Sequence, residues 1–402
     1  MRVAIDLLVA EKEPGGMLFA TQALVEGLAR IDKENEYIVI TSQPRAYKDL
    51  VAASSVVHFY PVKLRTWRGI LIQHQLKLPD ILKKLKPDVL HVPAFAAPIG
   101  WHGPLVLTVH DLAFLKVPQQ SSLYARLYWQ HMLHESVQRA QQIIAISEQT
   151  REELLSYWSV DPARIQVIHN ALRPALRLDS IAPGAIAMMR QRYGGRYLLH
   201  TGRIMPRKNV QVLVAAFQLL ATRFADLHLV LAGGTGYDSA EVLQQIAVSP
   251  YRERMHLAGW VAEEEMGALY AGAEMLVFPS RHEGFGLPML EAMACGIPVV
   301  ASREAASLEI VGDAAIRADC STAETLAVAV VEVLTDRALR ERLITRGLAQ
   351  IVPFTTERSA CATRQVYQKA LGIEAPSSDV PGEIPIVAER EVLRETQFRE
   401  VW

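Results

Sequence analysis

The sequence predicts an α/β protein made of two doubly wound, Rossmann-like halves that face each other across a cleft. Three observations predict it. Short runs rich in β-branched residues recur between longer helical stretches, the rhythm of strand–helix units around a parallel sheet. The runs are apolar throughout instead of alternating, as in strands covered on both faces. The rhythm breaks once, near 172–195, and then restarts.

In the first half the strand runs are Val3–Val9, Tyr37–Thr41, Val56–Tyr60, Val89–Val92, Leu105–His110, Ile143–Ser147 and Ile165–His169. LRPALRLDSIAPG, with two prolines and no firm periodicity, joins the halves. The second half restarts with Tyr197–Thr201, Leu227–Ala232, Met255–Ala258, Met275–Pro279 and Pro298–Ala301. The domains expected are therefore 1–180 and 181–371. The segment 372–402 is a tail rich in proline and turn residues, read as mobile, with a short docked helix (REVLRETQFREVW) as the alternative. Ligands of such sheets sit beyond the carboxyl ends of the strands, so the cleft between the halves is the expected site.

Composition narrows the function classes. Half of the 402 residues are hydrophobic, 21% are charged and the net charge is −1, so a globular chain is expected and no nucleic-acid partner. Cys295, Cys320 and Cys361 lie far apart without a CxxC pair or a histidine at ligand spacing, which predicts a reducing compartment and no structural metal. Charges interrupt the N-terminal apolar stretch too early for a signal peptide, and no apolar run reaches about 18–20 residues. A cytoplasmic protein is expected. The basic stretch Lys63–Lys86, with Arg65, Arg68, Lys77, Lys83, Lys84, Trp67 and Leu71, reads as a solvated helix face or as a peripheral contact with the inner face of a membrane.

The chemistry-bearing motifs follow the strands. In GRIMPRKNV, Arg203 and Lys208 occupy the loop between an apolar strand and the next helix, and a forked guanidinium beside a compact ammonium suits a diphosphate. LVLAGGTG is half of a nucleotide fingerprint and equally a tight turn. In HEGFGLPMLEAMACG, Pro288 suits the start of a helix, and Gly296 with Pro298 stops it. The N–H groups of Phe285, Gly286 and Leu287 then point out of a helix N-terminus, which attracts anions. Glu291, a turn inside, is an acceptor for ribose hydroxyls, and Glu283, before the turn, for hydroxyls of a transferred sugar. Gly15 and Gly16 follow the first strand, as a phosphate-approaching loop or a simple turn. In LTVHDLAFL, His110 and Asp111 stand directly beyond a buried strand, where His110 can donate to a sugar hydroxyl or a leaving phosphate.

Gly15-Gly16, TVHDLAFL, VIHNAL, GRIMPRKN, AGW, FPSRHEGFGLPMLEAMACGIPVV and VGDAA together resemble the retaining glycosyltransferases of family 4 with the GT-B fold, over about residues 1–371. The resemblance implies a hexosyltransferase acting in polysaccharide biosynthesis. Its first domain would face the acceptor and its second would bind the nucleotide sugar. It assigns Arg203 and Lys208 to the donor diphosphate and Glu283 to the transferred sugar. It gives Phe285–Leu287 to backbone donation, Glu291 to the ribose and Val261 to the side of the base, while Gly16 and His110 approach from the other domain. The implied donor is GDP-mannose, with a UDP-sugar next. The implied acceptor is a glycan, lipid-linked or small-molecule hydroxyl, and no metal or other cofactor is implied. Departures are Phe19, where the family often has an arginine, and EAASLE before VGDAA in place of SLPE. Competing readings are a GT-B nucleotide-sugar epimerase, a non-catalytic nucleotide-sugar binder, and a glycoside hydrolase built on Glu283 and Glu291, which the cationic loop between strand and helix suits poorly.

Overall fold

A computed structural model describes residues 1–12, 15–44, 54–63, 70–94, 96–116, 123–173 and 175–373. The tail expectation, with Phe398 and Trp402, lies outside these residues, as do Arg65, Trp67 and Arg68 of the basic stretch.

Thirteen strands among the described residues build two sheets. The first contains β1 (Arg2–Asp6), β2 (Glu36–Thr41), β3 (Val57–Pro61), β4 (Val89–Val92), β5 (Leu105–Val109), β6 (Gln142–Ala145) and β7 (Ile165–Val167), in the order β3-β2-β1-β4-β5-β6-β7. The second contains β8 (Arg196–Thr201), β9 (Leu227–Ala232), β10 (Met255–Gly259), β11 (Met275–Phe278), β12 (Val299–Ser302) and β13 (Ile316–Ala318), in the order β10-β9-β8-β11-β12-β13. Every adjacent pair is parallel. Both sheets reverse strand order once, between β1 and β4 and between β8 and β11, and the crevices lie at those points.

Each sheet is covered on both faces, which is why its strands read as unbroken apolar runs. Val3, Ile5, Tyr37 and Val39 belong to one core of the first sheet, and Ala4, Ile40, Leu90 and Leu107 to the other. In the second sheet Leu199, Val230 and Leu276 face one core, Leu198, Leu229 and Val277 the opposite one. Full burial of a side chain such as Phe217 or Phe278 stabilises the fold by about 1.5–3 kcal/mol.

The division at 180/181 treats 181–371 as one unit. The structure differs at its end. The helix Thr356–Ala370 packs along the helix Gly16–Ile31 and against β5 and β6 of the first sheet, where Ala360, Val366, Tyr367 and Ala370 complete a core. Gly27 permits this, because a Cβ there would lie 2.4 Å from the Thr356 carbonyl oxygen. Tyr367 also donates or accepts at His91 Nδ1 (2.7 Å) on β4. The chain thus returns to its first sheet after finishing the second.

Candidate active site

The site is built from loops at the carboxyl edges of the two sheets. In the second half, the β8 loop passes directly over the β9 loop. Gly233 (φ +140°) lies so close to Gly202 that an added Cβ would come within 2.2 Å of the Gly202 carbonyl oxygen. The AGG glycine therefore serves a close loop crossing. It fixes the start of the loop that carries Arg203, Arg207 and Lys208.

The HEGFG loop after β11 meets that loop. Gly286, in the left-handed region (φ +97°), precedes the helix Leu287–Ala294, with Pro288 in its first turn. The helix stops at Cys295 and Gly296 (φ +72°), whose N–H bonds to the Met293 carbonyl. Seven of its eight residues are buried, Glu291 among them. Phe285 is buried too, with its ring between His169 and Phe354, and this holds the loop in place.

Glu283 is the electrostatic centre. Lys208 Nζ donates to its Oε1 (2.6 Å) and Arg207 Nη1 to its Oε2 (3.2 Å). Burial alone would raise this carboxyl's pKa, but Lys208 and then Arg207 reverse the effect and hold it at about 2. Burial holds the Lys208 ammonium below its ordinary pKa, although Glu283 pulls it back up. Lys208 also lies 4.8 Å above the Phe278 ring. Asp111, from the first half, adds negative charge near both cations.

Of the two cations expected at the donor diphosphate, Lys208 is buried and bound to Glu283, whereas Arg203 is exposed at the other end of the loop. Arg207, given no role from the sequence, is the second cation on Glu283. Nothing in its spacing separated it from Lys208; only the fold of the turn Pro206–Lys208 brings both to one carboxylate.

Burial lowers the pKa of His110 to about 4, so it is neutral at ordinary pH. Its Nε2 is buried without a hydrogen-bond partner and is left for a sugar hydroxyl or a phosphate.

The first half touches this loop closely. Gly284 sits against the β5 loop, where an added Cβ would lie 1.8 Å from the His110 carbonyl oxygen. Ser147, the N-cap of the helix Glu148–Tyr157, donates to the Gly284 carbonyl (2.7 Å). Glu309 of the second half accepts from the Glu148 N–H (2.9 and 3.0 Å) at the start of that helix, where a carboxylate is favoured, and contacts His169 (2.6 Å). Gly15 caps the helix Gly16–Ile31 in extended geometry, and Gly16 faces Leu287, with 3.8 Å between an added Cβ and Leu287 Cδ1. Gly16, His110, Lys208, Glu283 and Leu287 are thus gathered at one place.

Glu291 lies apart from that centre. Arg173 donates to its Oε1 through Nε (3.1 Å) and Nη2 (2.7 Å), and Tyr270 donates to its Oε2 (2.7 Å). Most of the acceptor capacity expected for a ribose is engaged by these two side chains. Val261, next to the exposed Trp260, packs at the rim of the adjoining core. Among the described residues, no group of three His, Cys, Asp or Glu side chains is arranged to hold a metal ion.

The family profile described as "Glycosyltransferase Family 4" matches residues 14–176, and "Glycosyl transferases group 1" matches residues 195–336. The O-antigen chain mannosyltransferase B of Escherichia coli is 33% identical over 315 residues, covering 77% of this chain and 80% of that protein. The chain belongs to the family 4 glycosyltransferases. This glycosyltransferase is also 26% identical over 362 residues to the serotype-specific mannosyltransferase WbdA of Escherichia coli, covering 84% of its own length and 43% of that protein's. Its fold matches the crystal structure of Anabaena HepE in complex with UDP-glucose with a TM-score of 0.71 at 19% identity, over 93% of this chain and 100% of that one. It is a GT-B enzyme that transfers a sugar from a nucleoside-diphosphate sugar to an acceptor. No described helix is long and apolar enough to cross a membrane.

Proposed function

We propose that the enzyme transfers a hexose, mannose from GDP-mannose in first place and a UDP-sugar's hexose next, with retention of the α configuration. The acceptor is a hydroxyl of a glycan, lipid-linked or small molecule, presented by the 1–180 side. The observation that carries this reading is Glu283, ionised and held by Lys208 and Arg207 beside the N-terminus of the helix Leu287–Ala294. Two cations and a helix N-terminus form a preorganised field for a departing diphosphate. The mannosyltransferase relatives support the choice of sugar.

In this reading the donor's diphosphate enters above Leu287 and Gly16, and draws Lys208 away from Glu283 toward its own charge. Glu283, freed on Oε1, accepts hydroxyls of the sugar, and His110 Nε2 meets another. Arg207 keeps Glu283 ionised throughout, and Arg203 meets the outer phosphate. A carboxylate held at about pKa 2 between two cations is a poor nucleophile. Attack by the acceptor on the face the diphosphate leaves, with the leaving phosphate oxygen taking the acceptor's proton, requires no glycosylated side chain. The helix Ile70–Leu85 presents Lys77, Lys83 and Lys84 to solvent, which supports a peripheral contact with an anionic membrane. Thermal stabilisation by GDP-, UDP-, ADP- and dTDP-sugars, followed by product analysis with the best binder, tests the reading. Sugar transfer to an acceptor supports it; conversion of the donor without an acceptor would favour an epimerase.

A further inference from the structure

Arg173 stands just after β7 and extends from the first half of the chain into the second. It is less than a tenth exposed and engages three groups at once. Nε and Nη2 form a fork on Glu291 Oε1, and Nη1 lies 3.3 Å from Glu263 Oε1, a half-exposed carboxylate. The guanidinium carbon sits 4.4 Å from the centre of the Phe19 ring, and Phe19 stacks at 6.4 Å on Trp260. Phe19 belongs to the helix Gly16–Ile31, so one side chain ties the first sheet's leading helix to the helix that carries Glu291.

Counting acceptor positions shows what this tie does. A carboxylate offers about four lone-pair sites. Arg173 uses both sites on Oε1 and Tyr270 one on Oε2, which leaves a single site. A ribose that presents two adjacent hydroxyls needs two. The proposed donor therefore cannot bind Glu291 through both hydroxyls while Arg173 stays. The guanidinium has somewhere to go. A cavity of about 190 Å³ lies beside it, lined by Phe19, Glu26 and Glu263 among others. Glu263 already holds one of its nitrogens, and the Phe19 face can keep supporting it.

We propose that Arg173 is a latch on Glu291: it competes with the ribose of the incoming nucleotide, and the nucleotide must displace it into the neighbouring cavity. This rests on the reading of Glu291 as the ribose acceptor. The latch sets nucleotide affinity and joins the two halves when the site is empty. Binding exchanges an internal ion pair for the donor's own hydroxyls, and the displaced guanidinium stays on Phe19 and Glu263.

The test is the direction of one affinity change. Free GDP and UDP are titrated calorimetrically into the wild-type protein, Arg173→Met and Arg173→Lys. Arg173→Met binds the preferred diphosphate about tenfold more tightly, the scale of a charge-assisted hydrogen bond no longer to be broken. Arg173→Lys, with one donor direction in place of a fork, falls between. The gain disappears for the 2′,3′-dideoxynucleoside diphosphate, which has no hydroxyls to offer Glu291. If Arg173→Met is too unstable to purify, Arg173→Lys alone decides, because its affinity must exceed the wild type's. Weaker binding in either variant, with normal binding in the wild type, overturns the latch and makes Arg173 a support for Glu291. A gain that persists with the dideoxynucleotide overturns it as well. Failure of the wild type to bind any nucleoside diphosphate would instead sink the donor-site reading.

Discussion

Replacing Lys208 by methionine separates what this residue does for the fold from what it does for catalysis. Its Nζ lies 2.6 Å from Glu283, and both side chains are under a tenth exposed. Breaking a buried pair by removing one partner costs roughly 3–5 kcal/mol. Arg207 remains on the other oxygen at 3.2 Å, which brings the cost toward the about 1.5–3 kcal/mol of one charged hydrogen bond. The melting temperature should therefore fall visibly, and the protein should stay folded. Turnover should fall by about two to three powers of ten, the loss that follows removal of one preorganised donor to developing charge. Adding Glu283→Gln also leaves Arg207 without its carboxylate, so the double variant should recover neither stability nor turnover. Calorimetric melting and initial rates with a radiolabelled donor read the two effects separately. Unchanged turnover in a folded Lys208→Met protein, or turnover that returns in the double variant, would refute the assignment.

Three further outcomes follow from the geometry. Glu291→Gln should weaken binding of free nucleoside diphosphate by about tenfold or more, whereas Glu283→Gln should spare it and impair sugar transfer; equal titration losses in both would contradict this division. Gly284→Ala should force the His110 carbonyl and the HEGFG loop apart, raising KM or abolishing transfer while circular dichroism stays native; a fully active variant would show that this approach is dispensable. His91, His110 and His200 are buried with pKa values lowered to about 3, 4 and 4, below the ordinary 6.5. An unfolded chain binds these protons first, so stability is full above pH 6.5 and is lost as pH falls toward 4, with up to about 1.4 kcal/mol per pH unit from each histidine. A melting temperature that stays flat from pH 7 to 4.5 would contradict that burial.

The strands were legible because sheets covered on both faces turn burial into unbroken apolar runs. β13 escaped: its three residues, Ile316–Ala318, include an arginine and are too short to form a run. The helix Thr356–Ala370 was not read from the sequence, and an amphipathic face would not have said which sheet it covers. The two site glutamates could be located from the turn between them. Their partners could not be found from the sequence, because Arg173 lies 118 positions from Glu291 and Lys208 lies 75 from Glu283. The signal that could have found them is a general one: a carboxylate inside a wholly buried helix such as MLEAMA must have a cation or a hydroxyl beside it. That argument calls for a partner without naming it.

The central claim is transfer with retention, helped by cations and a helix N-terminus and not by a glycosylated carboxylate. NMR of the freshly formed product, from an α-linked nucleotide sugar labelled at the anomeric carbon and with EDTA present, tests it most directly. The account predicts an α-glycoside formed at an undiminished rate. A β-glycoside, or activity lost in EDTA and restored by manganese, would contradict it.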